Sequence, residues 1–169
     1  MMGVMEDDTN QGIIPRINKQ VFSIINNSNK SEIEYTVSVS MIEIYMEKIK
    51  VKDFNYKDLL QPQNCNLNIR EDKINGIYIE ELLEKKVTKV EEVFEIMKMG
   101  TDNRAIGKTN MNENSSRSHS IFIMQIISKN FVDLTTKTGK LYLVDLAGSE
   151  KISKTGYIIY SISGLVGYF

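Results

Sequence analysis

One stretch decides how this chain folds: Leu141-Tyr142-Leu143-Val144-Asp145-Leu146-Ala147-Gly148-Ser149-Glu150. The apolar residues Leu141–Val144 predict a buried strand that places Asp145 at its carboxyl end. Open α/β sheets bind ligands at that edge, and a carboxylate there can hold Mg²⁺ directly or through a water molecule. Gly148 has no side chain, so its backbone N–H can approach a phosphate closely. A plain strand followed by a turn would give the same pattern.

A second stretch, upstream, is rich in hydroxyl groups: Asn112-Glu113-Asn114-Ser115-Ser116-Arg117-Ser118-His119-Ser120. Ser115 and Ser116 offer hydroxyls to Mg²⁺ or phosphate oxygens, and Arg117 offers a planar guanidinium that suits a carboxylate. Glu150 is the partner that we expect for Arg117 if the two stretches converge on one site. A helix cap with a surface arginine would produce the same local pattern. We expect His119 to be a packed or capping histidine rather than a base, because no metal-spaced partner accompanies it.

Composition places the chain among globular proteins of one domain. It has 169 residues, of which 41% are hydrophobic and 25% charged, and its net charge of −1 gives no bulk attraction for nucleic acid or an anionic membrane. The single cysteine, Cys65, excludes an internal disulfide and suits a reducing compartment. Met1–Asn10 is acidic where a signal peptide would be basic and then apolar, and Ile121–Ile127 is too short to cross a membrane. We therefore expect a soluble intracellular protein.

Periodicity predicts the remaining elements. Pro15 lies in the first turn of a helix that carries Ile17, Val21 and Ile25 and ends at Asn26–Asn29. The other predictions, in chain order, are a strand at Glu34–Tyr45, an irregular segment at Glu47–Leu60, strands at Asn66–Arg70 and Gly76–Ile79, a helix at Val90–Met99 stopped by Gly100, a strand at Ser120–Ser128, a hairpin turn at Thr135–Gly139 and a sheet-centre strand at Lys140–Val144.

Taken together and in this order, the motifs Asn112-x-x-Ser-Ser-Arg-Ser-His and Asp145-Leu-Ala-Gly-Ser-Glu closely resemble switch I and switch II of kinesin motor domains. Further segments resemble the same family: Gly12-Ile-Ile-Pro-Arg16, Glu43-Ile-Tyr45, Asn103-Arg104 and Gly139-Lys-Leu-Tyr-Leu-Val-Asp145. Ser149-Glu-Lys-Ile-Ser-Lys-Thr-Gly156 is similar to the conventional, cargo-carrying branch.

The resemblance implies an α/β fold, a partial kinesin-type P-loop NTPase with a central sheet flanked by helices. It implies ATP and Mg²⁺ as cofactors, microtubules as the partner, and a cytoplasmic, cytoskeletal location. It implies that Asn112, Ser115 and Ser116 contact nucleotide and metal, that Asp145 organises the metal's water, and that Gly148 senses the γ-phosphate. Arg117 and Glu150 would form a bridge that closes around ATP. The implied tubulin contacts are Arg70, Glu71, Lys73, Lys151 and Lys154.

The sequence departs from the family pattern at several places. The phosphate-binding loop Gly-x-x-x-x-Gly-Lys-Ser/Thr is missing, because Asp102 stands where the first glycine before Gly107-Lys-Thr109 must be. Lys50–Lys57 intervenes where the family has about one residue, and 157–169 lacks the character of the family's relay helix. We therefore expect an internal motor fragment at 1–156 followed by a non-homologous tail. It would have no dimerisation region, no nucleic-acid or membrane partner, poor solubility from uncovered apolar faces, and little ATP turnover of its own. A non-catalytic microtubule-binding module and a non-functional product are the alternatives.

Overall fold

The structure, a computed structural model, describes residues 11–46, 54–64, 67–73, 76–111 and 118–147. Two helices and seven strands lie in these ranges, and their bounds in chain order are α1 Ile13–Asn27, β1 Ile33–Met46, β2 Phe54–Asp58, β3 Ile69–Asp72, β4 Gly76–Ile79, β5 Lys85–Val87, α2 Val90–Met111, β6 Ser118–Asn130 and β7 Thr136–Asp145. The helix that begins near Pro15, the strand around Glu34–Tyr45 and the strand that ends at Asp145 are confirmed.

The larger sheet is built around β1, which pairs with β2, β5 and β6, and β6 pairs in turn with β7. Every described pairing is antiparallel. The long register runs from Ile33 opposite Asn130 to Tyr45 opposite Ser118. Because side chains alternate across a strand, Val37, Val39 and Met41 all face the side on which the helices pack.

Both helices cover one face of this sheet and form the main core. Its buried members come from α1, α2 and four strands or their flanks: Ile14, Phe22, Val37, Val39, Met41, Leu59, Leu60, Val87, Val93, Ile96, Met97, Phe122 and Met124. None of the helices in the described ranges combines the length and apolar character that a membrane crossing requires.

The opposite face carries a smaller cluster made of Ile42, Ile44 and Ile121. The two-stranded hairpin β3–β4 lies over it, with Ile77 and Ile79 of the hairpin lining a cavity of about 110 Å³ that the sheet closes from below. The hairpin register pairs Ile69 with Ile79 and Asp72 with Gly76, so its first strand lies farther along the chain than the predicted Asn66–Arg70.

Helix α2 is longer than predicted. Gly100 is not its stop but a buried residue in its interior, where an added Cβ would lie 2.6 Å from the Sδ atom of Met41. The glycine therefore serves the close approach of the helix to β1 rather than a left-handed cap. Thr101 also donates its hydroxyl to the carbonyl of Met97, within the continuing helix.

Three further predictions for the sheet are wrong. The Glu47–Leu60 segment contains strand β2, and β5 was not anticipated. β7 is the last strand on its side of the described sheet rather than a central one, and Tyr142 in it is exposed. The turn between β6 and β7 lies at 131–135, where the side chains of Asn130 and Asp133 accept backbone N–H bonds.

Candidate functional site

Both motif stretches leave the sheet at the same end. β6 begins at Ser118, within the hydroxyl-rich stretch, and β7 ends at Asp145, within the stretch Leu141–Glu150. The antiparallel register places Ser120 directly opposite Asp145. The described residues at which the two stretches meet the sheet therefore lie side by side, while the expected pairing of Arg117 with Glu150 lies outside the described residues.

Arg104 is the centre of a polar network at this end of the sheet. Its Nε lies 3.2 Å from Oε1 of Glu43, and its Nη2 donates to the carbonyl oxygen and the hydroxyl of Ser118 at 3.1 and 3.2 Å. The Ser118 hydroxyl donates in turn to Glu43 Oε1 at 2.6 Å. The side chains of Arg104 and Glu43 are only 15% and 13% exposed, so water screens this pair much less than a surface pair.

The network extends to Asp145 at the end of β7. Arg104 Nη1 lies 3.7 Å from Asp145 Oδ2, while the aspartate side chain is still 54% exposed. One arginine thus contacts β1, the first residue of β6 and the last residue of β7. Because three of its partners come from different strands, the side chain fixes the relative positions of the two motif stretches where they leave the sheet.

His119 makes a direct connection between the stretches. Its Nδ1 accepts a hydrogen bond from the backbone N–H of Ala147 at 3.0 Å, so a neutral ring carries its proton on Nε2. Partial burial, and secondly the nearby Arg104 cation, lower the pKa of His119 below its ordinary value. The imidazole is thus favoured in the neutral form that can accept this bond, and the contact is of the packed or capping kind that the sequence predicts.

Asp145 is suited to hold a hydrated divalent cation. Its exposed carboxylate offers the oxygen donors that Mg²⁺ prefers, and one or two carboxylates with several waters are the usual protein share of a Mg²⁺ site. Within the described ranges, no three carboxylate, histidine or cysteine side chains converge on a metal position. An all-protein metal cage is therefore not formed by these residues, and the donor set fits a cation shared with a phosphate ligand.

Most of the predicted site residues lie outside the described residues, namely Asn112, Ser115, Ser116, Arg117, Gly148, Glu150, Lys151 and Lys154. Of the predicted tubulin contacts, Arg70, Glu71 and Lys73 are described and exposed on the hairpin β3–β4. Arg70 Nε bonds Glu80 Oε2 at 3.1 Å, with side chains 58% and 41% exposed. The hairpin is thus separated in sequence from the residues of the Arg104 network, and its predicted contact side chains are exposed to solvent.

Sequence reasoning missed the roles of Arg104, Glu43 and Ser118, although two signals were available. Glu43 is a charged residue between Ile42 and Ile44 in a buried strand, and a carboxylate at such a position requires a partner. Arg104 continues the helical spacing of Val93, Met97 and Gly100, which defines the face that α2 turns to the sheet. The premature helix end at Gly100 concealed this second signal.

Comparison with known proteins identifies the family. A model of the kinesin motor domain matches residues 1–160. Over 157 residues the chain is 52% identical to a kinesin heavy chain of Botryotinia fuckeliana, and over 156 residues it is 46% identical to the kinesin heavy chain of Drosophila melanogaster. Each alignment covers 92% of this chain, against 17% and 15% of the respective relatives.

A solved structure gives the same result for the fold. A fast kinesin, described with implications for ATPase mechanism and interactions with microtubules, superposes with a TM-score of 0.82 at 48% identity and covers 98% of this chain and 45% of its own. The matches in sequence and fold place the chain in the motor-domain class. The chain belongs to the kinesin motor domain family, and it spans about a sixth of the length of the curated relatives it matches.

Proposed function

We propose that this chain is part of a microtubule motor that hydrolyses ATP, and that its two motif stretches are the nucleotide switches. The observation that carries the proposal is the convergence of both stretches at one end of the sheet, where Arg104 contacts Ser118 and Asp145 together. A machine that senses a phosphate needs two loops that respond as a unit, and a shared anchor at their bases supports that behaviour.

The proposed roles follow the family pattern position by position. Asn112, Ser115 and Ser116 would contact the phosphates, and Ser116 and Asp145 would hold Mg²⁺, which neutralises phosphate charge when bound. Gly148 would offer its backbone N–H to the γ-phosphate. Arg117 and Glu150 would pair across the site and orient the attacking water. The described residues that flank these groups in the chain, Ser118 and Asp145, both lie against Arg104, which supports the proposal.

The proposal also requires a phosphate-binding loop, which these 169 residues do not contain. Such a loop supplies a nest of backbone N–H groups and a lysine that hold the β- and γ-phosphates. We therefore assign ATP binding and turnover to the full-length protein. The switch stretches provide the response to nucleotide, and the missing loop provides most of its affinity.

The hairpin β3–β4 is the proposed microtubule contact within the described ranges. Arg70, Glu71 and Lys73 are exposed there, and a charged, solvated hairpin suits an electrostatically steered encounter with a polar protein surface. Lys151 and Lys154 would add to this contact. A cytoplasmic location on microtubules follows from the same proposal.

The deciding experiment measures phosphate release by the full-length protein with and without microtubules. We expect microtubules to stimulate turnover and Glu150→Gln to reduce it by about 100-fold, because orientation of water contributes on that scale. Glu34→Gln, an exposed carboxylate on β1, is the matched control and should retain the rate. Microtubule-independent turnover, or equal rates for both variants, would refute the proposal.

A second candidate, a microtubule-binding module without turnover, is favoured by the exposure of the hairpin charges alone. It predicts co-sedimentation with microtubules that does not depend on nucleotide. The double variant Arg70→Ala, Lys73→Ala should abolish this co-sedimentation. The control pair Lys129→Ala, Lys137→Ala removes two exposed lysines from the distant β6–β7 hairpin and should leave it intact.

A further inference from the structure

We propose that His119 is a positioning residue that holds the start of the Asp145 stretch in a fixed relation to the end of the hydroxyl-rich stretch. The inference rests on the proposed function, since it assigns a coupling element to the two proposed switches. The contact that carries it is the hydrogen bond from the Ala147 N–H to His119 Nδ1, at 3.0 Å.

The two partners of this bond differ in how firmly they are held. His119 is the second residue of β6 and pairs with Ile44 of β1, one pair from the end of the β1–β6 register. Its neighbour Ser118 is fixed further by Glu43 and Arg104. The imidazole is therefore carried by a sheet end whose backbone is paired with β1 and whose neighbouring residue is held by side-chain bonds.

Ala147 lies two residues beyond the last ladder pair of β7, in a segment without regular structure. The preceding side chain, Leu146, is 64% exposed and cannot anchor the segment by burial. Among the described residues, the imidazole supplies the hydrogen bond that holds the backbone of this segment. Gly148, the proposed phosphate sensor, is the next residue in the chain.

The chemistry of the acceptor explains why a histidine suits this position. Nδ1 is the ring nitrogen nearer the backbone, and two side-chain torsions fix its position. Arg104 from α2 is the cation near the ring, and it is held in turn by Glu43 from β1 and lies near Asp145 from β7. If Ala147 moves when the neighbouring Gly148 contacts a phosphate, the bond to Nδ1 would transmit that movement to His119, and so to β6 within the hydroxyl-rich stretch.

The test compares His119→Ala, His119→Gln and His119→Asn in the full-length protein. Asparagine places its Oδ1 near the position of Nδ1 and can accept the same bond, whereas glutamine carries its amide one methylene farther out. The control Asn130→Ala removes an equivalent side-chain acceptor, which bonds the Val132 N–H at 2.8 Å, from the opposite end of β6.

The primary measurement is amide hydrogen exchange at Ala147, which mass spectrometry of overlapping peptides detects. We expect exchange to accelerate about fivefold in the Ala and Gln variants, the factor that one net hydrogen bond provides, and to return to the wild-type rate with Asn. The Asn130→Ala control should leave Ala147 unchanged. Equal exchange in wild type and in both the Ala and Gln variants would overturn the inference.

Turnover provides the second measurement and separates the inference from the proposed function. Microtubule-stimulated kcat should fall in the Ala and Gln variants by about the same fivefold factor, with KM for ATP nearly unchanged, and Asn should restore it. Faster exchange with unchanged kcat would overturn the positioning role. A wild-type protein without any ATP turnover would refute the proposed function, and the exchange comparison would still decide whether His119 holds the Asp145 stretch.

Discussion

Replacing Arg104 with alanine should destabilise this chain far more than removing a geometrically similar arginine on its surface. Arg104 and Glu43 approach to 3.2 Å with side chains 15% and 13% exposed, whereas Arg70 and Glu80 approach to 3.1 Å with side chains 58% and 41% exposed. The distances are nearly equal, so the two pairs differ in burial and in the added contacts of Arg104 with Ser118 and Asp145.

The expected magnitude follows from what Arg104→Ala leaves behind. Among the described residues, Glu43 would keep only the Ser118 hydroxyl as a donor, in a position with little access to water. Breaking a fully buried pair costs about 3–5 kcal/mol, and the residual exposure here reduces this to about 3 kcal/mol. Arg70→Ala should cost about 0.5 kcal/mol, as is typical of exposed pairs.

Urea unfolding of the 169-residue chain, followed by circular dichroism, measures both costs. With a slope of about 2 kcal/mol/M, the midpoint should fall by about 1.5 M for Arg104→Ala and by about 0.25 M for Arg70→Ala. A double-mutant cycle with Glu43→Gln should reduce the cost of Arg104→Ala to about 1.5 kcal/mol, because the unpaired charge is then gone. Equal costs for the two arginines, or no coupling to Glu43, would refute the reasoning.

Three further outcomes are expected from the same assay. Because the folded state lowers the pKa of His119 from its ordinary value of 6.5, the stabilisation by the neutral ring is complete above that pH and is lost as the pH falls toward the lowered pKa. The unfolding free energy should therefore decline as the pH falls below 6.5 in wild type and stay flatter in His119→Asn; parallel pH curves would contradict this. Asp58 is fully buried, and its carboxylate accepts three backbone N–H bonds at 2.8–3.1 Å. Asp58→Asn should therefore cost about 2–3 kcal/mol of unfolding free energy, whereas Asp133→Asn, at an exposed position, should cost well under half of that. Equal costs for the two variants would count against the role of the Asp58 carboxylate. Leu134 has an exposed side chain and a φ of 55°, a left-handed conformation that asparagine tolerates better than leucine. Leu134→Asn should therefore raise the unfolding free energy by about 0.5 kcal/mol, while Val132→Asn, also at an exposed position, should give no gain. A loss of stability in Leu134→Asn would show that the leucine side chain matters more than the backbone conformation.

Much of the fold could be predicted from short-range patterns. The helix of Ile13–Asn27 follows from the position of Pro15 and the spacing of its apolar residues, and β1 follows from the alternation around Val37 and Val39. Strand β2 was missed because a lysine-rich composition indicates a solvated segment, yet its pairing with β1 is supplied by the partner strand rather than by its own residues.

The candidate site, like the fold, could be predicted only in part from the sequence. The order and spacing of the two motif stretches identified the family and the position of Asp145 at a strand end. The Arg104 network could not be predicted, since its members are separated by 61 residues between Glu43 and Arg104 and by 14 between Arg104 and Ser118. Their contact depends on the β1–β6 register and on how closely α2 lies against the sheet, and neither is encoded in a local window.

By itself, the sequence determined the protein family, the positions of the main strands and the first helix, and the placement of Asp145 at the end of a strand. Local periodicity and motif spacing contain that information, because backbone propensity and side-chain alternation act over a few residues. Only the tertiary structure decided that Gly100 is a packing residue, that β7 lies at an edge of the described sheet, and that Arg104 and His119 connect the two stretches. Those features depend on burial and on distances between residues remote in the chain, which the folded arrangement alone sets.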